Sequence, residues 1–183
     1  MLIPDRSCCF RLLKKYDVPP HIVKHSMRVA QVGLYLTGKL AQTGRGLDEK
    51  LIEAASLLHD IAKMESIRKG GDHADMACDI LSSLGFPGVG DIVRQHVILD
   101  SPFSEIDETV IVNYSDKRVR HTEIVSLKER FDYIMERYGK NPEVKVRINK
   151  IFLDIREIET EIFRNFSFEP GSLKELNAIS PCY

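Results

Sequence analysis

Leu57-Leu58-His59-Asp60-Ile61-Ala62-Lys63 closes a strongly helical segment of this chain, and its reading decides the fold. On a helix, adjacent side chains project roughly 100° apart, so the imidazole at 59 and the carboxylate at 60 both reach one pocket on the buried side. A neutral imidazole nitrogen beside a hard anionic oxygen suits a divalent metal. Alone the pair is a weak signal, because His-Asp arises by chance in many proteins. Its company strengthens it. His25 lies on an apolar face with Val29, Val32 and Leu36, His73 and His96 follow, and Asp116 sits inside a later apolar segment. Asp116 comes four residues after Val112 and three before Val119, so it points inward. An unpaired carboxylate is costly there. A metal removes that cost, and so does a buried ion pair with Lys117, Arg118 or another helix.

The order His, His-Asp, His, His, Asp resembles the HD superfamily of metal-dependent phosphohydrolases, and the local text agrees. His25-Ser26-Met27-Arg28-Val29-Ala30 is similar to that family's first-ligand helix. Leu57 to Lys63 is close to its HDIG variant, with Ala62 where glycine usually stands. Asn113-Tyr114-Ser115-Asp116-Lys117 is similar to its closing segment. The resemblance covers residues 20 to 120. It implies an all-α fold, a compact HD-domain helical bundle. It also implies His25, His59, Asp60 and Asp116 as ligands of one metal, with His73 and His96 joining Asp60 around a second. The cofactor expected is thus one or two divalent transition metal ions. Iron, manganese, cobalt, nickel and zinc all suit histidine–carboxylate sites.

The function the resemblance implies is hydrolysis of a phosphate ester or anhydride, of a nucleotide, by a metal-activated water. Asp60 would carry catalysis with Lys63. Lys63 and Arg28, one turn after His59 and His25 respectively, would contact the substrate phosphate. The bland alternatives are an exposed helix-end lysine at 63 and a hydrogen-bonded core histidine at 25. His21 also stands four residues from His25, but in an exposed first turn, and is set aside. Lys117-Arg118-Val119-Arg120-His121 reads as a solvated basic face or a phosphate contact. Two other classes compete with the enzyme: a catalytically idle nucleotide-binding or signalling module, and a purely helical interaction protein. The first is expected to lack His59 or Asp60. The second has no use for inward-facing His25, His96 and Asp116.

Composition narrows the class. A length of 183 residues is one domain's worth of chain, enough for a real core. The formal net charge of −1 offers no global basic field for nucleic acid. The expected partner is a small phosphorylated molecule, with no membrane involved, since no apolar run approaches the ~20 residues of a span. Met1 to Lys15 mixes Asp5, Arg6, Arg11 and Lys14 into its apolar residues, unlike a secretory leader. Cys8, Cys9, Cys78 and Cys182 form no CxxC pair and read as reduced thiols, which suggests the cytoplasm.

The pattern predicts helices throughout: about Asp5 to Tyr16, His21 to Gln42 after Pro19-Pro20, Asp48 to Lys63, Asp72 to Gly85, and one from Pro87 carrying Val93 and Val97. Ser104-Glu105-Ile106-Asp107 resembles a capping box before a helix over Val110 to Val119, and Ser126-Leu127-Lys128-Glu129 repeats it before Phe131, Ile134 and Tyr138. A long helix from about Pro142 to Asn165 closes the body. No stretch alternates as a strand should. The organisation expected is a single domain over 1–165 and a C-terminal tail over 166–183.

Overall fold

The computed structural model describes residues 1–101, 103–164 and 166–181. Among them are nine α-helices: α1 (Arg6–Lys15), α2 (Pro20–Gln42), α3 (Glu49–Leu58), α4 (Lys63–Lys69), α5 (His73–Ser83), α6 (Pro87–Arg94), α7 (Glu108–Lys117), α8 (Leu127–Tyr138) and α9 (Pro142–Phe163). A two-stranded antiparallel hairpin, β1 (Val119–Arg120) and β2 (Glu123–Ile124), separates α7 from α8. The fold is all-α in the sense expected. No helix among the described residues is long and apolar enough to cross a membrane. The expected helix end at Asn165 and the thiol of Cys182 lie outside the described residues.

Short polar caps start most of these helices. Asp5, Asp48, Asp72, Asp107, Ser126 and Asn141 each accept a backbone N–H of the first turn, satisfying donors that a helix leaves unpaired. Ser126 and Glu129 form the full reciprocal box. The Ser104 signal is different: the cap of α7 is Asp107, which accepts from Val110 N at 2.8 Å. That helix also stops at Lys117, because Val119 pairs with Ile124 in the hairpin. Two residues per strand are too short for an alternation to register, so the pattern could not announce it.

The helix expected over 48–63 is two helices. α3 ends at Leu58, and tight three-residue bonds follow, Ile61 N to Leu58 O and Lys63 N to Asp60 O, each 3.0 Å. α4 then leaves from Lys63 and ends at Gly70, whose φ of 78° is costly for other residues. His59 and Asp60 therefore sit in a turn between helices.

α2 is the central rod, and its stripe of Val29, Val32 and Leu36 is fully buried. α3 and α7 pack against it. At Gly33 the approach is close: a Cβ there would stand 3.0 Å from Ile52 Cγ2 and 3.5 Å from the hydroxyls of Ser56 and Ser115. This contact registers α2, α3 and α7, the elements that supply His25, His59 and Asp116. The segment expected as a tail contains a 3-10 helix at Pro170–Ala178 with Leu173 fully buried. Asn177 pairs its side-chain amide with both backbone groups of Ile124, at 2.8 and 2.9 Å.

Candidate metal centre

The last carbonyls of a helix have no partner within it. Two of these carbonyls are taken by imidazoles. Just past α3, His59 Nδ1 lies 2.8 Å from the carbonyl oxygen of Ser56. Just past α6, His96 Nδ1 lies 2.7 Å from that of Val93. Both span three residues, and both need the helix to stop where it does. His25, inside α2, makes the same kind of bond across the fold, Nδ1 to the carbonyl oxygen of His121 at 2.9 Å. A carbonyl only accepts, so Nδ1 carries the proton in each ring and Nε2 presents a lone pair. Fixing the tautomer through the second nitrogen is how proteins orient metal-ligating histidines.

The three Nε2 atoms converge on two carboxylates. His25 Nε2 stands 3.1 Å from Asp116 Oδ1, and His59 Nε2 3.8 Å from the same oxygen and 3.6 Å from Asp60 Oδ2. Asp60 turns its other oxygen to a second group, with Oδ1 3.4 Å from His73 Nε2 and 3.9 Å from His96 Nε2. The two groups, His25–His59–Asp60 and Asp60–His73–His96, thus share Asp60. Lys63 stands at the second, its Nζ 3.3 Å from both Asp60 Oδ1 and His73 Nε2. Lys117 stands at the first, 2.9 Å from Asp116 Oδ2.

Burial sets the charge states. It pushes the His59 imidazole below its ordinary value, and that of His96 well below. His73 moves the same way, through burial and then the nearby Lys63 ammonium. These rings are therefore held neutral, as a ligand must be. Burial opposes charge on the carboxylates too, yet it loses. With the rings neutral, the Lys63 ammonium beside Asp60 holds it below the usual range, and the Lys117 ammonium with the Arg130 guanidinium holds Asp116 well below it.

The fit to a metal can be judged on one atom. His59 Nε2 is fully buried and has no hydrogen-bond partner among the described residues, while two carboxylate oxygens lie within 3.8 Å of it. A lone pair facing anionic oxygens is repulsive unless a cation stands between them. Two imidazoles and two carboxylates at the first group, and two imidazoles with a shared carboxylate at the second, are the donor chemistry of a divalent transition metal.

All six residues expected as ligands come together. Two expectations fare differently. The guanidinium of Arg28 is directed at the carbonyl oxygens of Thr122, Leu176 and Ile179, at 2.9–3.0 Å, and at Gln31. There it pins the C-terminal segment to α2 and the hairpin turn, and these bonds are what the structure shows for it beside the substrate contact expected. The basic stretch 117–121 is not a solvated face at its start: Lys117 and Arg118 are buried, and only His121 is exposed at its end. Lys117 makes the ion pair weighed as the rival to a metal at Asp116. His21 is exposed, away from its neighbour's partners. Sequence reasoning missed Arg130, on α8, whose Nη2 reaches to 3.9 Å from Asp116 Oδ1. No spacing rule links positions 116 and 130. A separate cavity of about 430 Å³ lies between residues 97–101 with Phe103 and α9, and none of the six candidate ligands lines it.

Among curated proteins the chain is similar to a tRNA (cytidine(56)-2'-O)-methyltransferase of Thermoplasma volcanium, 31% identical over 97 residues. It is also similar to Ribonuclease Y of Aquifex aeolicus, 38% identical over 77 residues. These alignments take in 52% and 42% of this chain but only 27% and 13% of the relatives. No solved structure matches. The HD domain family matches residues 22–129, more than half of the chain and a span that holds all six residues, and the chain belongs to that family.

Proposed function

We propose that this chain is a metal-dependent phosphohydrolase that cleaves a phosphate ester or anhydride of a nucleotide. The observation that carries this reading is the convergence of three tautomer-fixed Nε2 atoms on Asp60 and Asp116, with the buried Nε2 of His59 left unpartnered. His25, His59, Asp60 and Asp116 would hold one divalent ion, and His73 and His96 with Asp60 a second. When bound, such ions supply an acidified water and polarise phosphoryl oxygens.

The chain's own residues supply the rest. Asp60 addresses both groups with different oxygens and, among the described residues, is the one shared by both. Lys63 cannot be a ligand while protonated, yet it stands at the edge of the second group with its side chain 37% exposed. It is placed to donate to a phosphoryl oxygen arriving from solvent. The deep positions of His59 and His96 keep water away from one side of the reacting phosphate, which strengthens every charge interaction there. One domain over 1–165, the segment 166–183 as its appendage, and a cytoplasmic setting complete the proposal. In keeping with that setting, the described cysteines Cys8, Cys9 and Cys78 are free thiols.

A second reading is an idle nucleotide-binding or signalling module. What favours it is that Lys63 and Lys117 already neutralise Asp60 and Asp116 without a metal. Metal analysis of the purified protein separates the two. It would be followed by hydrolysis of nucleoside monophosphates, cyclic nucleotides, dinucleoside polyphosphates and short RNA with manganese, iron, cobalt, nickel or zinc. The substrate arm includes RNA because both relatives are named for RNA chemistry. Metal uptake with turnover in wild type, and loss of both in Asp60→Ala, is expected. Metal bound with no turnover on any substrate would favour the idle module.

A further inference from the structure

The guanidinium of Arg130 is short of partners. Its side chain is 17% exposed, and its Nε is fully buried with no hydrogen-bond partner among the described residues. Its nearest charge is Asp116 Oδ1, 3.9 Å from Nη2, too far for a hydrogen bond. A guanidinium carries five N–H donors in a rigid fork that matches the oxygens of a phosphate, and buried donors of this kind are almost always satisfied. Glu129, the acid next to it, is turned to Ser126 and Lys174 and does not serve it. The local charge points the same way. Three cations, Lys63, Lys117 and Arg130, face two carboxylates, Asp60 and Asp116. The excess is positive before any metal enters, and a divalent ion increases it.

We propose that Arg130 is an anion-binding residue of this site and takes a non-bridging oxygen of the substrate phosphate at the His25–Asp116 end, opposite Lys63 at the His73 end. This rests on the phosphohydrolase reading above and deepens it. Both cations then bracket the phosphoryl group from α4 and α8, elements on either side of the ligand cluster. A terminal phosphate, with three non-bridging oxygens, has one for Arg130, one for Lys63 and one left for a divalent ion, whereas an internal diester, with two, does not, so this arrangement would favour the former.

The test is titration of inorganic phosphate into manganese-loaded protein, wild type against Arg130→Gln and Arg130→Lys, with manganese content measured on each sample. One charge-assisted contact is worth about tenfold to a hundredfold in affinity. Arg130→Gln is expected to weaken phosphate binding by that factor with manganese content unchanged, and Arg130→Lys to recover part of it. If Arg130→Gln fails to fold, Arg130→Lys carries the test, because losing the fork alone is expected to weaken phosphate binding several-fold. Wild-type phosphate affinity in the folded variants, with manganese retained, would overturn the assignment and leave Arg130 as a neutraliser of Asp116. Failure of the wild type to take up manganese, iron, cobalt, nickel or zinc would instead overturn the phosphohydrolase reading, and this inference with it.

Discussion

Lys117 Nζ lies 2.9 Å from Asp116 Oδ2 and also donates to the carbonyl oxygen of His96 at 2.7 Å. One buried ammonium thus ties a candidate ligand on α7 to the backbone of another candidate ligand beyond α6. Burial drives its own proton affinity down, and Asp116 opposes that. The pair therefore stands on mutual compensation.

Replacing Lys117 with Met should destabilise the metal-free protein by about 3 kcal/mol, the usual consequence of leaving one buried charge unpaired. A divalent ion beside Asp116 would supply the missing positive charge. The loss should therefore shrink when manganese is added. Thermal melts of wild type and Lys117→Met, with and without manganese, check this. An equal loss under both conditions would mean that no cation reaches Asp116.

Removal of metal is itself a measurement of the site. A ligand held at a hundred times its dissociation constant stabilises the folded state by about 2.7 kcal/mol. A chelator should therefore lower the melting temperature of wild type by several degrees and leave Asp60→Ala, already without metal, unmoved. The double variant His73→Ala/His96→Ala should take metal stoichiometry from two toward one. An unchanged stoichiometry would reduce the site to the group of His25, His59, Asp60 and Asp116.

How far these residues were legible follows from their distances along the chain. His25 and Asp116 announced themselves because each sits at helical spacing among apolar neighbours, where a polar group needs a reason. His59 and Asp60 announced themselves as text, although the helix supposed to carry them ends one residue earlier. That ending was hidden because it depends on the His59 ring taking the Ser56 carbonyl, a side-chain bond that no periodicity encodes. Lys117 was legible only as one of several partners for Asp116. Arg130 was not legible at all, since its relation to Asp116 is made by the hairpin of β1 and β2. That hairpin is too short to show an alternation. The partners of Arg28 were hidden for a similar reason: two of the carbonyls it meets, those of Leu176 and Ile179, lie about 150 residues away in sequence, in a segment that composition marks only as a tail.

The buried cluster of Arg118, Tyr114 and Glu159 makes a separate prediction. Arg118 is 1% exposed and spends its donors on Glu159 at 2.9 Å, on Tyr114 Oη, and on the carbonyls of Val125 and Pro170. It therefore joins α7, α9, the strand end and the 3-10 helix. Glu159→Ala should cost about 3–5 kcal/mol by leaving that guanidinium uncompensated. Arg118→Met should cost less than Arg118→Ala, because it preserves the stem's packing. Urea midpoints would rank the three variants. A loss below about 1 kcal/mol in Glu159→Ala would mean that the backbone carbonyls suffice.

Glu129 carries the last prediction, on pH. Its carboxylate bonds with Lys174 and Ser126 and is held down at about 2, below the ordinary value of 4.5. A depressed folded value means that the unfolded chain binds the proton more readily, so the charged form stabilises the fold. That contribution is fully present above about pH 4.5 and is lost as pH falls toward 2. The pair is exposed, with about half of each side chain in solvent, and screening limits its worth to about 0.5 kcal/mol. Wild type should therefore exceed Glu129→Gln by this small margin at pH 7, and the two should become equal near pH 2. Urea unfolding at a series of pH values measures the margin. A margin that grows on acidification would have the opposite sign and would show that the Lys174 contact does not anchor the 3-10 helix to α8.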